Sequence, residues 1–382
     1  MSPRAYTGWV IGGCLALLAP VVALNLVLIG NDYRHDKNRL ASQWQQETRG
    51  VTFAPPITSN RAFKTLRAND RLAEINTLVF GSSTAMSITA DAFPAGLRAY
   101  NFAQTGNPLP SVIGEAGYVV DHWSGQVRWL VIPLDWALGF VYEGNAPGPT
   151  DLSAAAVAPP AAPSVAAQLR EALSLPRITH LAEILGEIAD STQPSGTARQ
   201  FFVAPAGEPY PCIDGLTARD YDTTFRGQCV GFRFDGSATF ADQKRITAAR
   251  APGVLAQAAS ASSQYARALA NTAGQPDAGL LDHLGVLLRR ARARGVRVVL
   301  FMPPLLPGLD ARLAASAHSG ASLARTKAVL QGWAQQQDIP LFDAGPSELH
   351  GCTATEFIDA HHALPDCYRK LLARMFVAHS VP

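Results

Sequence analysis

Residues 76–84 read NTLVFGSST, a β-branched apolar run that stops on a glycine followed by three hydroxyl side chains. The run is short and bounded by a turn signal, so it predicts a strand, Asn76–Phe80, rather than a buried helix. A serine on the turn that leaves such a strand for a helix projects its hydroxyl at the carboxyl edge of the sheet, where open α/β folds bind ligands. Four more runs of this kind follow: Arg98–Ala103 (RAYNFA), Arg128–Pro133 (RWLVIP), Val296–Met302 (VRVVLFM) and Pro340–Asp343 (PLFD). Between them Pro110–His122, Leu280–Arg294 and Ala321–Gln337 carry apolar residues at helical spacing. Strands alternating with helices predict an α/β fold, a parallel doubly wound sheet with helices on both faces.

This rhythm occupies residues 71–382 and is broken once, by residues 141–275 after the third strand, far longer than an ordinary crossover. The insertion opens on an Ala/Pro-rich stretch, continues through an expected helix Ile178–Ile188 and reaches a Gly/Asp/aromatic region holding Cys212 and Cys229. Insertions of this size commonly serve as a lid, a specificity platform or a partner surface. Residues 31–70, polar and mixed in charge, read as a stalk.

Residues 1–30 read as a transmembrane anchor. From Gly8 to Gly30 the chain (GWVIGGCLALLAPVVALNLVLIG) has no formal charge. As a helix at ~1.5 Å per residue it would span about 34 Å, enough for a bilayer core of about 30 Å. Signal-peptide apolar regions are shorter. Arg34, Lys37 and Arg39 follow the segment and only Arg4 precedes it, which by the positive-inside rule would leave the bulk of the chain in the cytoplasm. The cysteines point the other way. Cys14 lies in the apolar segment, while Cys212, Cys229, Cys352 and Cys367 form two locally spaced pairs that fit disulfides in an oxidising compartment. Other pairings, or four free thiols facing the cytoplasm, remain open. The balance favours a single-pass protein of the inner membrane facing the periplasm.

Across all 382 residues the charged share is 16%, the apolar share 48% and the net charge +2. A wholly disordered chain is excluded by the first two figures, and nothing in the third provides an electrostatic footprint for nucleic acid.

Two motifs carry candidate chemistry. The first is Gly81-Ser82-Ser83-Thr84 on the strand-to-helix turn, which equally well describes an ordinary turn with a helix cap. The second, near the end, is Phe357-Ile358-Asp359-Ala360-His361-His362. A serine hydroxyl needs a base to take its proton and a carboxylate to orient that base. Asp359, three residues before His362, can share its side of a turn, whereas His361 is one residue off and expected to point elsewhere. A metal reading would use Asp359, His361, His362 and His350 with Cys352 or Cys367, but no CxxC or HExxH spacing supports it.

Taken together, these motifs resemble the SGNH/GDSL hydrolase superfamily, in particular its membrane-anchored bacterial branch related to alginate O-acetylation and teichoic-acid D-alanylation proteins. The resemblance covers Asn76–Phe140 and Val296–Arg374. It implies a flavodoxin-like sheet with Ser83 as nucleophile, Ser82 replacing the usual aspartate, and Asp359 and His362 as the terminal pair. It further implies an oxyanion hole from the backbone at Ser83 and from Gly106 in YNFAQTGNP. The third block departs: in VIPLDW, Asp135 or a neighbour stands where an asparagine would donate, so Asp135 is a candidate for substrate binding and Asn107 for the side-chain donor. Cys352 and Cys367 bracket the Asp-His segment, where a disulfide would brace it. Trp123, Trp129, Trp136, Phe140 and Tyr142 could stack on sugar, though such residues more often pack a core.

The implied function is a membrane-anchored, periplasm-facing serine esterase or O-acyltransferase, without cofactor, acting on a cell-envelope or exopolysaccharide. An integral membrane acyltransferase is a possible partner. The alternative is a catalytically degenerate carbohydrate-binding or scaffold protein of an exopolysaccharide assembly.

Overall fold

A computed structural model describes residues 2–34, 60–136, 150–157, 163–179, 231–239 and 245–378, with isolated positions at 38–39, 42, 45–46, 181, 224–225 and 228–229. The five expected strands are present: β1 (Thr77–Val79), β2 (Ala99–Asn101), β3 (Trp129–Pro133), β4 (Arg297–Met302) and β5 (Leu341–Asp343). They form one parallel sheet in the order β2-β1-β3-β4-β5, with Leu78 opposite Tyr100 and Leu130, and Phe301 opposite Pro133 and Phe342. Successive strand residues face opposite sides. All residues of β1, β2 and β3 are buried, so both faces of the sheet centre are covered. This explains why β1 and β3 read as largely apolar runs.

The described helices are α1 (Pro3–Arg34), α2 (Asn60–Asp70), α3 (Leu109–His122), α4 (Val165–Ala172), α5 (Ala251–Ala258), α6 (Gln264–Thr272), α7 (Ala278–Ala293), α8 (Leu309–Ala315), α9 (Gly320–Gln336) and α10 (Pro365–Ala378). Helices α3 and α7 pack on each other, and α10 lays Phe376 against Trp129 and Tyr368 against Phe301. The strand order reverses at β1, which lies between β2 and β3. Such a reversal opens a crevice at the carboxyl ends of the neighbouring strands. Among the described residues, α1 is the helix long and apolar enough to cross a membrane, over Pro3–Val27.

One boundary needs correction. The stretch read as a stalk ends in α2, which belongs to the folded unit: Phe63 and Leu66 enter the core. Lys64 and Arg67 on this helix are also fully buried. Charged side chains are seldom buried unless paired, so their presence made the helix look solvated. Here Lys64 Nζ donates to the carbonyls of Asn101 (3.0 Å), Gly236 (2.9 Å) and Ala103. Arg67 donates to Gln45 Oε1 (2.9 Å), the Ser42 carbonyl (3.2 Å) and Gln46 Oε1 (3.0 Å).

Part of the stretch read as an insertion is packed against the sheet. Around the hairpin Gly231–Phe232/Ala238–Thr239, Asn101 N donates to the Asp235 carbonyl and Ala238 N to the Met86 carbonyl, each at 2.7 Å. Gly236 turns there at φ +81°, where an added Cβ would lie 2.4 Å from the Asn101 carbonyl. The expected Ile178–Ile188 helix lies largely outside the described residues, as do Cys212 and the side chain of Cys229.

Candidate active site

The first half of the site is set by how β1 ends. Gly81 follows at φ +129°, and a Cβ there would meet Pro133 Cγ at 2.4 Å. Only glycine lets the chain turn so close to β3. Ser82 then caps the short turn Ser83–Ala85, its Oγ accepting from Thr84 N at 3.4 Å. From α10, Tyr368 donates its hydroxyl to the Thr84 carbonyl (2.5 Å), pinning the turn from beneath. Ser83 itself is half-buried at the carboxyl edge.

The second half is the loop Phe357–Ala363, closed on itself by a bridge between its end residues and by Ile358 N donating to the His362 carbonyl (3.1 Å). Ile246 N reaches the Phe357 carbonyl at 2.7 Å, and Leu306 N, just after the Pro303-Pro304 turn that ends β4, reaches the Ala360 carbonyl at 2.9 Å. The Ser87 hydroxyl donates to the Ala363 carbonyl. Cys352 and Cys367 form a disulfide that encloses the loop, 15 residues apart. A cross-link closing a loop of that length contributes about 3 kcal/mol in the chain-entropy account.

These two halves meet. His362 Nε2 lies 2.8 Å from Ser83 Oγ, and His362 Nδ1 lies 2.6 Å from Asp359 Oδ2. The second carboxylate oxygen of Asp359 accepts the backbone N–H groups of His361 and His362, both at 2.9 Å. Burial works to raise the Asp359 carboxyl, but the hydrogen bond from His362, the two histidines and the His361 N–H outweigh it and hold it well below the usual carboxylate range. An ionised carboxylate only accepts, so the imidazole proton sits on Nδ1 and the Nε2 lone pair faces the serine hydroxyl.

His361 departs from expectation. Rather than pointing away, its ring stacks on that of His362 with centroids 4.1 Å apart, and Tyr265 on α6 donates its hydroxyl to His361 Nδ1 at 2.5 Å. Burial pushes the Tyr265 phenol up, keeping it a donor. Burial, helped by His362 and opposed by Asp359, pushes His361 down to about 4. His361 is therefore neutral near pH 7 and sets no charge beside His362.

Gly106 bends the loop after β2 at φ +65°, into open space, and Gln104 N ties that loop to the Gly81 carbonyl at 3.0 Å. Among the described residues, the N–H groups of Ser83 and Gly106 have no hydrogen-bond acceptor. Asn107 was expected to lend its side chain to the same task. Instead its Nδ2 donates to Glu115 Oε2 (3.0 Å). Glu115, on α3 and fully buried, also accepts from Arg61 Nε (2.7 Å) and Gln104 Nε2 (2.9 Å). The sequence reading missed this carboxylate, whose only signal is a lone charge in the apolar stretch SVIGEAGYVV. Asp135, at the end of β3, is buried and accepts from Ser82 Oγ at 3.4 Å.

Of the metal reading, Cys352 and Cys367 are bonded to each other and His350 Nε2 donates to the Asp343 carbonyl (3.0 Å). Asp359, His361 and His362 stay clustered, but both nitrogens of His362 are engaged by Asp359 and Ser83. Trp123, Trp129 and Trp136 are buried in the core, not arrayed as a platform, and Phe140 and Tyr142 lie outside the described residues. A cleft of about 420 Å³ opens beside the loop, lined by Asp359, His361, Tyr265 and polar side chains around the start of α6. No family model, curated protein or solved structure matches this chain.

Proposed function

We propose that the protein is a membrane-tethered serine acyl hydrolase or O-acyltransferase of the SGNH type. The observation that carries this reading is the Asp359–His362–Ser83 relay, assembled from opposite ends of the folded unit at 2.6 and 2.8 Å. Ser83 Oγ attacks the carbonyl carbon of an ester while its proton passes to His362 Nε2. Negative charge then develops on the carbonyl oxygen, and the backbone N–H groups of Ser83 and Gly106 are free to receive it. Collapse expels the alcohol, which takes its proton from His362 and leaves an acyl-serine. Water or a sugar hydroxyl then gives its proton to His362 as it attacks the acyl carbon, and on collapse Ser83 Oγ leaves, recovers that proton from His362 and frees the acid or the new ester.

The apolar α1 supports a tether, and the disulfide fits an oxidising compartment. On this reading the domain faces the periplasm from the inner membrane and acts on an envelope polysaccharide or exopolysaccharide, with an integral membrane acyltransferase as acyl donor. The test is hydrolysis of an aryl acetate by the full chain in detergent. Ser83→Ala should lower the rate at least about 10³-fold, and an active-site serine probe should label Ser83 alone. Equal slow rates for the parent and Ser83→Ala, with no label taken up, would leave a carbohydrate-binding or scaffold protein.

A further inference from the structure

Among the described residues outside α1, seven large apolar side chains are exposed, and four of them fall within eleven residues: Val165, Leu169, Leu173 and Leu175. The first three recur at every fourth position of α4 and the residue after it, so they form one stripe along one face of a helix. The exposures are 72%, 40% and 50%, with Leu175 at 74%. Singly exposed apolar residues need no explanation, but a contiguous stripe marks an interaction surface.

The place of this stripe on the molecule says what covers it. Helix α4 packs directly on α1. Asn25 in α1 donates Nδ2 to the Ala172 carbonyl at the end of α4 (3.1 Å), and Ala172 is fully buried there. Just beyond, Leu181 packs on Val21 and Leu24. These contacts lie at positions 21–25 of an apolar span that runs to Val27. At ~1.5 Å per residue they sit about 3–9 Å inside the end of that span. Helices that lie in the membrane plane bury their apolar face about 5–10 Å into the boundary between headgroups and acyl chains. The end of α4 therefore meets α1 at a comparable depth.

We propose that α4 lies in the bilayer interface, its Val165–Leu169–Leu173 stripe immersed in lipid, as a second membrane contact beside α1. The occupant is the lipid surface itself, because α4 packs on α1 within the apolar span, where lipid would surround both helices. This proposal rests on α1 being the membrane anchor and is independent of the serine chemistry. With α4 fixed to α1 through Asn25 and lying in the plane, the folded unit would be held against the bilayer rather than swinging on a loose stalk.

The test uses the full chain with Cys14→Ser, Cys212→Ser and Cys229→Ser, oxidised to keep the Cys352–Cys367 disulfide, in phosphatidylcholine vesicles. One cysteine at a time is introduced at Val10, Leu169, Leu173 or Leu349 and labelled with an environment-sensitive fluorophore. Leu349, 68% exposed on the folded unit, is the aqueous reference. The expected result is strong quenching of the 10, 169 and 173 labels by lipids spin-labelled high on the acyl chain. Aqueous iodide should quench only the 349 label. Quenching of 10 by lipid but of 169 and 173 by iodide overturns the proposal and leaves the anchor standing. If 169 and 173 are shielded from both quenchers, protein rather than lipid covers the stripe, and the proposal fails. An iodide-accessible label at 10 overturns the anchor, and the proposal with it.

Discussion

At the residue scale, the carboxylate of Asp359 has two separate jobs, one for each oxygen. Oδ2 holds the Nδ1 proton of His362, while Oδ1 gathers two backbone N–H groups and so fixes the carboxylate before any substrate arrives. Asp359→Asn keeps the shape but offers an N–H or a weaker acceptor to Nδ1. It thereby favours the wrong tautomer, with the proton on Nε2 facing Ser83. On the proposed chemistry this should lower kcat on an aryl acetate by about 10⁴-fold with little change in KM. A drop of less than tenfold would mean that Asp359 does not orient the base. Neutral His361 bears on the same question, since a cation stacked on His362 would oppose its protonation during the reaction.

At the scale of elements, α3 and the loop after β2 are joined through one buried carboxylate. Burial pushes Glu115 above its ordinary value of 4.5, against the pull of Arg61, Asn107 and Gln104. The folded state therefore holds this proton more tightly than the unfolded state does, and stability falls as pH rises from about 4.5 through the folded value. Glu115→Gln has no proton to lose. Melting temperatures measured from pH 4 upward should show the parent declining across that window relative to the variant, and parallel curves would rule the linkage out. Which elements were legible follows from the same physics. The strands announced themselves because the middle of the sheet is buried on both faces, which keeps β1, β3 and the Val299–Met302 part of β4 almost wholly apolar. The Ser83 turn and the Asp359–His362 pair were legible because each is local in sequence. Glu115 and Tyr265 were not, because an acid on an apolar helix or a tyrosine in an Ala-rich one acquires meaning only from residues brought against it by folding. Helix α2 was hidden for the opposite reason: NRAFKTLRAND looks solvated, yet its lysine and one arginine are completed by carbonyls that no local reading supplies.

At the scale of the whole molecule, the connection between α1 and the sheet acts as more than a spacer. Arg67 is buried beneath positions 42, 45 and 46, which give it three hydrogen bonds, and Gln45 Nε2 donates onward to the Phe232 carbonyl of the docked hairpin at 2.7 Å. The segment thus clamps α2 to the hairpin, which in turn borders β2 through the Asp235 carbonyl. A chain cut to begin at Arg34 loses the apolar span but keeps the clamp, whereas one cut to begin at Pro56 loses both. Water reaching the uncovered guanidinium recovers part of the cost. Three hydrogen bonds at a net of about 1 kcal/mol each set the difference at about 3 kcal/mol. For a unit of this size that is a melting temperature lower by several degrees for the shorter chain. Both truncated chains should be purified without detergent and melted side by side, with aryl acetate hydrolysis followed at low temperature. The clamp requires the longer chain to melt higher while the two share the same rate per folded molecule. Coincident melting curves would reduce the segment to a tether and leave the burial of Arg67 without a stabilising role.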